Sequence, residues 1–143
     1  MNPARKKIID DKLLELIAKD IQPFSVVEDT GFRDFCHALN PSYVLPSRKT
    51  LSKTLIPAKY LDTLNKTKGV VSNVESVTIT TDLWSSRNND SYMGVTGHFI
   101  DANYVVKSVL LDIFLFKGFH TSANLADELL RIVKEWDLEK KKY

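Results

Sequence analysis

Three β-type runs, joined by links too short for a crossover, occupy the chain between Val77 and Phe116, and nothing else constrains its fold as strongly. The first run, Val77 to Asp82, opens with the consecutive strand formers Val77, Thr78, Ile79, Thr80 and Thr81. The polar stretch Ser85-Ser86-Arg87-Asn88-Asn89-Asp90 leads to a second run, Tyr92 to Ile100. Asp101-Ala102-Asn103 then leads to a third, Tyr104 to Phe116. A parallel connection needs roughly a dozen residues or more, so these links dictate an antiparallel meander.

The residues before the meander have helical periodicity. Ile8 to Asp20 places Ile9, Leu13, Leu16 and Ile17 on one face, widened by Leu14 and Ala18. Pro23 ends that helix. Ser25-Val26-Val27-Glu28 has the form of a capping box and predicts a helix to Ala38 or Leu39, with Val27, Phe32, Phe35 and Leu39 as its apolar side. Ser47 is the next N-cap candidate. From Arg48 to Val74 the pattern is again helical, with a kink or break expected near Ile56 because Pro57 follows it. Lys66-Thr67-Lys68-Gly69 is a second weak point. After the strands, Thr121 or Ser122 caps a last helix whose apolar face is Leu125, Leu129, Ile132, Val133 and Trp136. The fold class is therefore α+β: a helical region over residues 1–75, then a β-β-β-α unit over residues 76–143.

Composition removes several function classes. The single cysteine, Cys36, excludes an intrachain disulfide and a multi-cysteine zinc site, and the adjacent His37 lacks ligand spacing. A reducing, intracellular setting is expected. No run of about 18 apolar residues predicts a membrane span, and no apolar leader segment is present. The net charge of +2 is too balanced to argue for nucleic acid by itself. Arg5-Lys6-Lys7 and Lys140-Lys141-Lys142 read as solvated tails.

Asp82 is the candidate site residue. A carboxylate at a strand end can serve as metal ligand or general base. The local alternative is that it caps the turn Leu83-Trp84-Ser85. Asp101 falls in a hairpin link and Asp112 on the third run. His98 and His120 read as structural, and Trp84 and Trp136 as core anchors. The aromatic and basic interleave of single-strand binders is missing.

Five stretches carry a resemblance. They are Gln22 to Phe32 (QPFSVVEDTGF), Asn40 to Arg48 (NPSYVLPSR), Thr80 to Ser86 (TTDLWSS), Tyr92 to Asp101 (YMGVTGHFID), and His120-Thr121 opening the helix with Glu135-Trp136. In this order and spacing they resemble the hAT superfamily of cut-and-paste DNA transposases, in particular the branch that includes domesticated zinc-finger BED-type proteins. The resemblance covers about residues 10 to 138. It implies an RNase H-like fold with sheet order 3-2-1-4-5. It also implies that Asp82 matches the first of three acidic residues holding two divalent metals, Mg²⁺ by their oxygen chemistry. The family's second aspartate lies on a fourth strand, past the helix ending near Leu138, and its third acid and BED finger have no counterpart here.

These expectations follow. The chain is a partial or domesticated hAT transposase-like protein, catalytically inert as it stands, with Asp82 vestigial and no cofactor. The alternative is a DNA- or protein-binding module with a regulatory role in the nucleus. DNA is the family's partner; no membrane and no small-molecule substrate are expected. Strand one, central in the full fold, is left at an edge and invites self-association.

Overall fold

The structure is a computed structural model and describes residues 1–141. The chain falls into two compact units, Met1–Thr63 and Leu64–Tyr143.

The first unit is helical. Helix α1 spans Pro3–Lys19, five residues earlier than its apolar periodicity suggests. The Asn2 side chain accepts from the Ala4 N–H, and Pro3 takes the first helical position, where its missing donor costs nothing. The buried face is Leu13, Leu14 and Ile17, while Leu16 turns outward. The capping-box reading fails. Phe24–Glu28 is a 3₁₀ turn, and α2, Thr30–Leu39, begins after Asp29. Val27 on that turn is buried, but Phe35 and Leu39 on α2 are exposed. Ser47 does cap, accepting from the Thr50 N–H at 3.1 Å. Helix α3, Arg48–Thr50, continues through a π turn, Leu51–Leu55, into α4, Ile56–Ser72. Here the Ile56 N–H reaches back to the Leu51 carbonyl, five residues away. Pro57 explains the widening: its ring would meet the carbonyl four residues earlier, and the π turn moves that carbonyl aside. The unit's core is Leu13, Leu14, Ile17, Val27 and Leu51, with Phe32, Leu45 and Leu55 against it.

The second unit holds the sheet. Helix α4 passes through Gly69 without a break, its end anchored by the fully buried Val71. Strands β1 (Thr78–Ser85), β2 (Ser91–Ile100) and β3 (Val106–Leu115) pair antiparallel in the order β1-β2-β3, so β1 lies at an edge. Helix α5, Ser122–Glu135, is capped by the Thr121 hydroxyl, which accepts from the Asn124 N–H. Buried Val77, Met93, Val95, Phe99 and Leu111 on one sheet face meet Ile132, Trp136 and Leu138. The register shifts between Val95, opposite Asp112, and Thr96, opposite Leu110. Leu111 is thus the extra residue of a β-bulge.

The expected solvated C-terminal tail is also corrected in part. The Lys141 ammonium donates to the Ser72 and Val74 carbonyls at the end of α4, where a cation complements the helix dipole. Lys142 lies outside the described residues.

Candidate functional site

Asp82 stands inside β1 and not at its end. The strand runs three residues further, to Ser85, and Asp82 is paired with Gly94 of β2. The turn-capping alternative is overturned, because Leu83, Trp84 and Ser85 are strand residues. The cap belongs to Ser86, whose hydroxyl accepts from the N–H groups of Asn88 and Asp90.

Strand alternation decides which face the carboxylate is on. Val77 and Ile79 join the core that packs on α5, so the even-numbered residues Thr78, Thr80, Asp82 and Trp84 project from the opposite, outer face. Asp82 is exposed there. Trp84 is 42% exposed and no core anchor. Its ring stacks on Tyr92, with centroids 5.8 Å apart and planes 15° apart. A Cβ added at Gly94 would lie 3.2 Å from the Trp84 ring, so glycine is what lets the indole lie across β2. Sequence reasoning passed over Gly94; the available signal was a glycine inside a strand pattern. Trp136, by contrast, is 5% exposed and anchors the core as expected.

His98 bridges all three strands on the outer face. Its Nε2 lies 2.9 Å from the Thr80 hydroxyl and its Nδ1 2.8 Å from the Ser108 hydroxyl. His120 packs edge-on against Phe116. Both are accounted for by structure.

Asp112 and Asp101 are committed elsewhere. Asp112 lies opposite Val95 and binds the Arg131 guanidinium of α5 at 2.6 Å, which places it on the other face of the sheet from Asp82. Arg131 also holds Glu128 and Glu135 and lies over the Phe114 ring. Asp101 accepts from the N–H groups of Val105 and Asn103 in its hairpin. The Val105 N–H chiefly, then that of Asn103 and the nearby Lys107, hold its carboxyl below the usual range. The two-metal centre that the resemblance implies does not fit these residues. Asp82 has Thr80, Gly94 and Trp84 around it, and among the described residues no group of three or more His, Cys, Asp and Glu could hold a metal ion.

A family model described as the ZBED1 RNase-like domain matches residues 80–143, a segment that starts two residues before Asp82. The chain is related to the hAT transposases and the BED-type zinc finger proteins. A Zea mays protein named "Putative AC transposase" is 35% identical over 120 residues, which is 83% of this chain and 15% of that protein. The human zinc finger BED domain-containing protein 4 is 33% identical over 69% of this chain and 8% of its own length. The Arabidopsis thaliana protein DAYSLEEPER, also a zinc finger BED domain-containing protein, is 24% identical over 92% of the chain and 19% of its own length. The chain thus spans less than a fifth of the length of each of these relatives. No solved structure matches it. No helix among the described residues is long and apolar enough to cross a membrane.

Proposed function

We propose that this transposase-derived chain does not cleave or join DNA by itself, and that Asp82 is the first acid of a two-metal site whose other acids are not among these residues. The observation that carries this is the isolation of Asp82 on the outer face, with Asp112 turned to the opposite face and bound to Arg131. A single carboxylate cannot clamp two metals. The test is a nicking assay on supercoiled plasmid with Mg²⁺ or Mn²⁺. The expected result is no cleavage above buffer, and none that changes with Asp82→Ala. Metal-dependent nicking lost in Asp82→Ala overturns the reading.

A second reading is a nuclear DNA- or protein-binding module with a regulatory role. It is favoured by the names of relatives, which include a "Putative transcriptional regulator tpeD" of Talaromyces stipitatus, 27% identical over 90% of the chain and 16% of its own length. Gel-shift assays on duplex DNA, with and without salt, test the DNA arm; a salt-dependent shift supports it. Nuclear accumulation of the tagged chain tests the location. Self-association through the β1 edge of this segment belongs to the same reading.

A further inference from the structure

The helical stretch that Ser47 caps divides by chemistry into two sides. Leu51 is fully buried, and Leu55 and Ile56 pack against the same core. The side open to solvent is Arg48, Lys49, Thr50, Lys53 and Thr54. Lys49 and Lys53 are four residues apart and so are neighbours on the helix surface. The Ser47 and Thr50 hydroxyls, 2.9 Å apart, stand at the same end. No apolar side chain and no carboxylate is among these residues, and residues 35–61 contain no Asp or Glu. Other cations of this unit are matched: Lys6 binds Asp10, Lys12 and Lys19 bind Glu15, and Lys59 binds Asp11. The 3₁₀ turn Phe24–Glu28 packs against α3, yet Glu28 is paired with none of its cations. Among the described residues Arg48, Lys49 and Lys53 have no ion-pair partner.

We propose that this cationic face binds the phosphate backbone of duplex DNA. The proposal rests on the DNA-binding reading above and adds the surface. Burying a cation without a partner is costly, so these three stay in water or take an anion. Guanidinium and ammonium groups flanked by hydroxyls are the donor set that holds phosphate oxygens. Three like charges on one short stretch repel one another, and a polyanion relieves that repulsion at all three together. A membrane surface needs apolar side chains on the same face to enter the acyl boundary. Here Leu51 and Leu55 are turned into the core, and the solvent side offers only cations and hydroxyls.

Fluorescence anisotropy of a labelled DNA duplex, titrated with the chain across a salt series, tests this. The expected result is an affinity that falls linearly with salt on logarithmic axes. The triple variant Arg48→Gln, Lys49→Gln, Lys53→Gln is expected to bind more weakly and to flatten that slope by up to about 2.7, at ~0.9 per phosphate contact. Lys53→Gln alone, expected to flatten it by about 0.9, serves where the triple variant does not fold. The control Arg5→Gln, Lys7→Gln, Lys117→Gln removes the same charge from other exposed positions and is expected to keep the wild-type slope. A wild-type chain that does not bind the duplex overturns both the surface and the DNA-binding reading. A slope unchanged in the triple variant, or lowered equally in the control, overturns the surface and leaves that reading. Binding through these residues to phosphatidylserine-containing vesicles or to an RNA duplex in preference to DNA overturns DNA as the occupant.

Discussion

The indole N–H of Trp136 donates to the carbonyl of Leu111 at 3.1 Å, and Leu111 is the residue that the β3 bulge takes out of register. A bulge leaves backbone groups unpaired in the ladder, and a buried unpaired carbonyl costs free energy. Trp136 satisfies that carbonyl from the end of α5 while filling the core. Trp136→Phe keeps an aromatic ring but removes the donor. It is expected to destabilise the fold by about 1–3 kcal/mol, read as a lowered urea midpoint with the slope unchanged.

Gly94 and Trp84 form the second relationship that can be tested. Gly94→Val puts side-chain atoms where the Trp84 ring now lies. The ring is exposed and can swing away, so the stability change is expected to stay below ~1 kcal/mol. The Trp84–Tyr92 stack is expected to be lost. Near-UV circular dichroism, compared with Trp84→Ala, reads this out: the two variants lose the same band.

Ile21 has φ of 52°, in the left-handed region, and is 89% exposed. Its position follows from the end of α1, where the Gln22 N–H turns back to the Ile17 carbonyl. A β-branched residue is strained there, and glycine is not. Ile21→Gly is expected to stabilise the chain by about 1 kcal/mol, seen as a higher Tm. An unchanged or lower Tm contradicts the strain.

Asp101 supplies a pH test. Its carboxyl is held low mainly by the Val105 N–H, with Asn103 and Lys107 adding to it. A depressed folded-state pKa gives stability that is present above the unfolded value and lost as pH falls through the folded one. Asp101→Ala is therefore expected to lower the denaturation midpoint at neutral pH, and the gap to wild type is expected to close in acid. A gap independent of pH contradicts this.

Helix ends and strand ends were less legible than the elements themselves. Strand-forming runs and short links gave the meander, and three- and four-residue spacing gave α1, α4 and α5. The capping-box pattern at Ser25 misled because Val27 turns into the core from a 3₁₀ turn, and α2 starts only after Asp29. Trp84 read as a core anchor because it is large and apolar. It lies on the outer sheet face, where Tyr92 and Gly94 cover one side of the ring and leave it 42% exposed.

For the candidate site, the chain's own residues determined that Asp82 sits on a β-branched strand. Linear spacing is enough for that, because a strand needs only local preference and alternation. The face that Asp82 occupies and the turning of Asp112 to Arg131 were decided by the tertiary structure. Each depends on register between strands distant in sequence. A shift of one residue in pairing would move every side chain to the other face.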